Sequence, residues 1–237
     1  MPMDLSAGNE WKECKRSSMD IKKAVLKRHS VRQYKGVPIE GELVEKLNEL
    51  IAQLNKASGL TFELVLDDKK AFTGPLAHYG RFENCYNYIT IKGPKNMDEQ
   101  VGYYGEKLVI YAQMLGLNTC WVALTYRIGG IRLKLEKGEK FYLIIAIGHG
   151  RNRGLPRRSK PMEKLCSVSG EMPEWFKNGM ELAMLAPTAI NQQKFLIKLL
   201  ENGEVEAKSH FGPCHKIDLG IVKYHFELGA EIPVKWK

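Results

Sequence analysis

The segment Lys27-Arg28-His29-Ser30-Val31-Arg32 places two guanidiniums and a hydroxyl at alternate positions, where a helical pattern gives way to extended chain. In extended chain alternate side chains share a face. Arg28, Ser30 and Arg32 are therefore expected to point together. That set suits a phosphate, because Arg grips oxyanions with paired N–H donors and Ser adds one more. An exposed basic helix end that merely offsets the helix dipole would use the same residues. A second segment, Ala186-Pro187-Thr188-Ala189-Ile190-Asn191-Gln192-Gln193, follows a helical stretch that stops at proline. Its small residues let backbone approach a flat ligand. Asn191 and Gln193 offer the donors and acceptors that a heteroaromatic edge requires. An ordinary helix-ending loop has the same composition.

Other groupings carry less. Gly148-His149-Gly150-Arg151-Asn152-Arg153-Gly154 has the wrong glycine spacing for a dinucleotide loop, and Leu155-Pro156 follows where a helix would be needed. His210, Cys214 and His215 match no common zinc spacing, so no metal site is expected. Arg151, Arg153, Arg157, Arg158 and Lys160 could track a nucleic-acid backbone. No helix-turn-helix, RNP or zinc-finger pattern accompanies them, and no aromatics are interleaved.

The elements that must position these residues can be read from periodicity. A short helix is expected after Asp20, ending near His29, and a second after Pro38 with Leu43, Leu47, Leu50, Ile51 and Leu54 on one face. Strands are expected at 61–66 and 88–91, a long helix after Asp98 ending at Gly116, extended chain at 121–124 and a central strand at 141–147. The last third predicts a helix over 174–186, a strand over 195–200 and a final helix capped by Asp218. This order repeats the earlier one. Leu50 lies over Leu182 and residues 62–66 lie over 195–199, which suggests an internal duplication. The divisions expected are an arm at 1–18, a first half at 19–150, a basic connection at 151–165 and a shorter second half at 166–237.

The 237 residues suffice for a core that needs neither disulfides nor a structural metal. Hydrophobic residues at 44% and charged residues at 27% exclude wholesale disorder. No apolar run approaches the ~20 residues of a membrane helix. The five cysteines form no C-x-x-C pair and read as reduced thiols. With no signal peptide visible at 1–10, a cytoplasmic location is the expectation. The net charge of +9 points to an anionic partner without choosing one.

Together these segments resemble the FMN-dependent nitroreductase family. Its Arg-(Arg/His)-Ser-x-(Arg/Lys) pattern is matched by Arg28-His29-Ser30-Val31-Arg32. Its Ala-Pro-Ser-x-x-Asn-x-Gln pattern is matched at 186–193, with Thr188 in the serine position. Gly116-Leu117-Asn118-Thr119-Cys120-Trp121 and Arg157-Arg158-Ser159-Lys160-Pro161 match two further family patterns, and the matches span residues 20 to about 230. The resemblance implies an α+β fold with a mixed, mostly antiparallel sheet flanked by helices. It implies FMN as cofactor, NAD(P)H as hydride donor, and nitro, quinone or related small acceptors. Arg28, His29, Ser30 and Arg32 would hold the FMN phosphate and ribityl chain, with Arg158 and Lys160 approaching the phosphate. Pro187, Thr188, Ala189, Asn191 and Gln193 would lie along the isoalloxazine, and Trp121, Val122, Ala123 and Leu124 would run past it. The flavin carries the hydride chemistry, so no catalytic side chain is implied.

One departure matters. The family usually places its proline-serine motif soon after the arginine motif, where this chain has Leu54-Asn55-Lys56-Ala57-Ser58-Gly59. The family builds each flavin site from two subunits. A fused pair of diverged copies, one keeping the phosphate grip and one the loop, would make one site per chain. Such a chain is a pseudo-dimer, alone or paired with a second. The competing readings are a flavin-binding protein without turnover and a basic nucleic-acid-binding protein.

Overall fold

A computed structural model describes residues 20–237; the expected arm at 1–18 lies outside them. In chain order the elements are α1 (Ile21–Lys27), α2 (Glu42–Ser58), β1 (Thr61–Val65), α3 (Pro75–Tyr79), β2 (Tyr88–Pro94), α4 (Asp98–Met114), β3 (Asn118–Val122), β4 (Glu139–Gly148), β5 (Cys166–Val168), α5 (Glu174–Ala183), β6 (Phe195–Leu199), β7 (Val205–Ser209) and α6 (His215–Ala230). The fold is α+β. Two sheets replace the one expected: an antiparallel sheet ordered β1-β2-β4-β3, and a smaller one ordered β5-β6-β7 whose β5–β6 pair is parallel.

Periodicity accounts for the longer elements. In α2, Leu47, Leu50, Ile51 and Leu54 are buried on one face, and Gly59 closes the helix at φ 70°. That left-handed backbone carries little penalty without a Cβ. Gly116, at φ 81°, turns the chain out of α4 in the same way. The apolar run of β4 lies between β2 and β3, and its residues 143–148 are buried.

One feature organises the core. Helices α4 and α6 cross where Gly102 meets the Ile217 carbonyl and Gly220 meets the Glu99 carbonyl, so a methyl group on either glycine would overlap the other helix's backbone. A second close approach sets Gly229 against the Asn178 carbonyl and Gly179 under the Phe226 ring. These contacts let α6 run through the interior, with residues 217–226 buried. One hydrophobic cluster joins Leu47, Ile91, Val101 and Leu108 to Phe176, Ile197, Val222 and Phe226. Residues on both sides of the basic connection thus share one core.

The last helix begins three residues before Asp218, so Asp218 is not its cap. Its carboxylate is drawn to the 188–193 loop instead. The expected extended stretch at 121–124 begins earlier, at Asn118, and ends at Val122. No helix among the described residues is long and apolar enough to cross a membrane.

Candidate functional site

The chain leaves α1 at Arg28 in extended conformation (φ −71°, ψ 119°), and the following residues run beside β3. The Val31 N–H donates to the Thr119 carbonyl at 3.0 Å, and the Ser30 hydroxyl bonds the Cys120 side chain. Beyond β4 the connection folds back over this segment. Lys35 N–H donates to His149 O at 2.8 Å and Arg151 N–H to Gln33 O at 2.9 Å. Gly154, at φ 72°, packs so tightly on His29 and the Ser30 carbonyl that a side chain there would clash.

Arg28 and Arg32 stand at different depths. Arg32 is exposed. Arg28 is only 2% exposed, with its Nε 3.7 Å from Oε1 of Glu106, which is fully buried in α4. That separation is an ion pair too long for a hydrogen bond. Burial pushes the Arg28 pKa down, while Glu106 and Cys120 push it up. Trp121 donates its indole N–H to Glu106 Oε2 at 2.8 Å, and its ring lies on Gly105, where a side chain would overlap it. Val122 is buried, Ala123 half-buried and Leu124 exposed.

Arg157 joins this centre. Burial lowers its pKa to about 9, with Arg28 acting in the same direction and Glu106 against it. Its Nη1, Arg28 Nε and His29 Nδ1 are buried without hydrogen-bond partners among the described residues. Burial, Arg28 and Arg157 all lower the His29 pKa. Two buried guanidinium nitrogens without partners, with the unpartnered His29 ring nitrogen under the influence of both arginines, form a built demand for an anion, since a buried donor left unmade is penalised. Arg158 and Lys160 are the cations of this run that the family pattern singles out, yet Arg157 is the one whose guanidinium is buried, which residue spacing does not reveal.

The 188–193 loop is fastened to the same connection. Asn191 Nδ2 and Gln193 Nε2 both donate to the Arg158 carbonyl, at 3.0 and 2.9 Å, and Gln193 Oε1 accepts from the Lys160 N–H at 2.8 Å. Lys160 Nζ donates to the carbonyls of Gln192 and Gln193 at 2.7 and 3.0 Å. Thr188 Oγ1 accepts from the Gln193 N–H at 3.1 Å. Pro187, Thr188 and Ala189 are half-buried, and Arg158 is exposed. The two side-chain amides proposed for a ring edge are thus engaged with backbone, and they shape the loop. Ile190, Asn191 and Gln193 all adopt positive φ (48°, 55° and 46°). For a β-branched residue this is a true outlier, and such strain gathers at functional sites.

Asp218 clamps this strained loop. Its two oxygens take the Ala189 N–H at 3.0 and 3.1 Å, and Oδ2 accepts from Gln192 Nε2 at 2.7 Å. Burial raises its pKa from 3.8 to about 6, and the Gln192 and Ala189 bonds oppose the rise. Between those values the folded chain holds a proton that the unfolded chain has lost, so stability falls as pH rises through this window. Asp218→Asn should remove that fall, which urea melts from about pH 4 to about pH 7 will read.

A separate apolar depression of about 460 Å³, lined by Thr73, Gly74, Pro75, Leu76, Tyr126 and Arg127, includes none of the candidate residues. The geometry therefore yields two parts on one connection: a buried cationic centre and a strained, amide-braced loop.

Comparison with known proteins bears on the family and the fold. Residues 20–230 match the model of the family described as "Putative TM nitroreductase". No curated protein matches. The fold is similar to the crystal structure of a putative nitroreductase from Thermotoga maritima, with TM-score 0.66 and 24% identity over 89% of this chain and 83% of that one. Weaker similarity extends to a putative nitroreductase from Exiguobacterium sibiricum in complex with FMN (TM-score 0.48, 15% identity, 63% of this chain and 97% of that one). It extends also to an FMN-dependent nitroreductase from Clostridium difficile (TM-score 0.45, 22% identity, 60% and 93%). With the family model matched over nearly its whole described length, this chain belongs to the nitroreductase family of oxidoreductases.

Proposed function

We propose that the chain is an FMN-dependent oxidoreductase that takes hydride from NAD(P)H and reduces small nitro, quinone or related acceptors. The observation that carries this reading is the set of unpartnered buried nitrogens on Arg28, His29 and Arg157. They fit the terminal phosphate of FMN, whose oxygens are acceptors for charge-assisted hydrogen bonds. When bound, FMN supplies hydride acceptance and delivery, chemistry that no side chain here provides.

In this reading Arg28, Arg157 and His29 meet the phosphate from within, and Ser30 and Arg32 hold the chain leading from it. Arg158 adds positive charge at the exposed rim. Lys160 acts on the loop, holding the Gln192 and Gln193 carbonyls so that Pro187, Thr188 and Ala189 present a fixed surface to the ring. Asn191 and Gln193 brace that surface through the Arg158 carbonyl. Trp121, Val122, Ala123 and Leu124 border the ring on the other side.

We also propose one flavin site per chain, built by two diverged halves. The order helix, strand, strand, helix occurs as α2-β1-β2-α4, with the short α3 inserted between its strands, and again as α5-β6-β7-α6, and Gly102 and Gly220 make reciprocal contacts at the crossing of the two final helices. Cys85, Cys120, Cys166 and Cys214 are free thiols, which suits a reducing compartment such as the cytoplasm.

The deciding experiment is an absorbance spectrum of the purified protein, with the released flavin identified and counted. The expected result is one FMN per chain. A colourless protein that FMN does not stabilise overturns the reading, and one FMN per two chains overturns the fused site. Bound flavin without NAD(P)H oxidation by a quinone or nitroaromatic would mean binding without turnover. Salt-dependent binding of DNA or RNA without flavin would favour the nucleic-acid reading. Arg157→Gln should weaken FMN binding about 10- to 100-fold, the equivalent of one charge-assisted hydrogen bond. Arg28→Ala and Arg32→Ala should also weaken flavin retention, measured by fluorescence titration.

A further inference from the structure

Glu106 and His225 form a pair, both fully buried, behind the cationic centre. His225 Nε2 lies 2.9 Å from Glu106 Oε1, and Nδ1 lies 3.1 Å from the Leu182 carbonyl oxygen. A carbonyl only accepts, so Nδ1 carries a proton. The other contact is a hydrogen bond only when a second proton is present. A neutral imidazole with its proton on Nδ1 would otherwise set the Nε2 lone pair against a carboxylate lone pair. The second proton sits either on Nε2, giving imidazolium beside carboxylate, or on Glu106, giving a carboxylic acid beside neutral imidazole. Either way the protonated pair has no net charge.

The surroundings set how firmly that proton is held. Arg28, just past α1, faces Glu106 from one side and Trp121 of β3 donates to it from another. The Tyr224 phenol of α6 senses Glu106 and Glu227, the Cys120 thiol of β3 senses Arg28, and the His29 imidazole senses Arg28 and Arg157. Arg157 acts on His225 from the connection, together with Arg28. Burial is the largest influence on His225 and lowers its pKa; Glu106 raises it, and the two arginines lower it again. With the proton present, the buried charge is that of two arginines. Losing the proton leaves Glu106 negative and offsets one of them. A phosphate dianion beside Arg28 and Arg157 supplies both missing negative charges and removes the reason to lose it.

We propose that Glu106 and His225 share a proton whose uptake is coupled to the arrival of a phosphate dianion at Arg28 and Arg157. This rests on the reading of those arginines as the FMN phosphate grip. The proton comes from solvent when the phosphate binds and returns when it leaves. Glu106 and His225 are positioning residues here: Glu106 pairs with Arg28 and with His225, and both act through Arg28.

The test is calorimetric titration of FMN into the flavin-free full chain at about pH 8, in buffers of different ionisation heat. FMN's phosphate, with a second pKa near 6, is then already a dianion. Any proton taken up is the protein's. The expected result is a net uptake approaching one proton per FMN, and none with riboflavin, which lacks the phosphate. His225→Gln should still bind FMN but without the uptake; uptake that persists in His225→Gln would assign the proton to His29 and overturn the proposal. FMN binding by wild type with no uptake, or equal uptake with riboflavin, overturns the coupling and leaves the cofactor reading standing. Failure of FMN to bind overturns both. Should His225→Gln not fold, the wild-type comparison of FMN with riboflavin decides.

Discussion

Glu106→Ala should destabilise the folded chain by about 3–5 kcal/mol, the range for removing one partner of a buried ion pair. Three groups lose their counterpart at once. Arg28 keeps its charge at 2% exposure with no carboxylate nearby, Trp121 keeps an indole N–H without an acceptor, and His225 keeps an imidazole edge facing a cavity. None can turn to water, because β3, α4 and α6 close around them. Glu106→Gln should be milder, since its amide oxygen can still accept from Trp121 and its amide N–H can donate to a neutral His225. Urea unfolding at neutral pH checks both, and an alanine effect below about 1 kcal/mol would contradict the burial assigned to this pair.

Gly220→Val should be as severe, by a different mechanism. Its side chain would have to occupy the place of the Glu99 carbonyl and the Tyr103 N–H in α4. Overpacking usually costs about 1–3 kcal/mol, where side chains can move aside. Here the obstacle is hydrogen-bonded backbone in the first turns of a helix, so the expected loss is about 3 kcal/mol or more. Gly102→Val should behave alike, because it meets the Ile217 carbonyl from the other side of the same crossing. Once one substitution has forced the helices apart, the second has less left to disrupt. The double variant should therefore fall short of the sum of the singles. Denaturation midpoints of the three variants test this non-additivity.

What the sequence disclosed was local. The stripes of α2 and α4, the glycines that end them and the apolar run of β4 are written in residue spacing. So were the Arg28–Arg32 and 186–193 segments, whose patterns led to the family that residues 20–230 match. What it concealed depended on partners distant in the chain. Glu106 reads as an ordinary polar position in a helix until α6 covers it. Arg157 is one of several neighbouring cations, and only its burial in the folded chain distinguishes it. Asp218 was read as a cap because Asp often is one. The chain instead enters α6 through Cys214 at φ 50°, which frees Asp218 to bind the Ala189 N–H. Asn191 and Gln193 were read as ligand-facing amides; their bonds to Arg158 show them stiffening a loop with little glycine to relax it. Val205–Ser209 carries too weak an alternation to announce a strand and pairs along Phe195–Leu199 all the same.

The glycine crossing also governs when this protein can fold. During synthesis α4 is complete about a hundred residues before α6 exists. Through that interval its Gly102 face, and the apolar side chains around it, have nothing to cover them. The antiparallel sheet can assemble first, but the shared core cannot close until residues 215–230 have left the ribosome. A nascent chain in that state exposes the kind of surface that chaperones hold. Its exposure lasts for as long as residues 115–230 take to be translated.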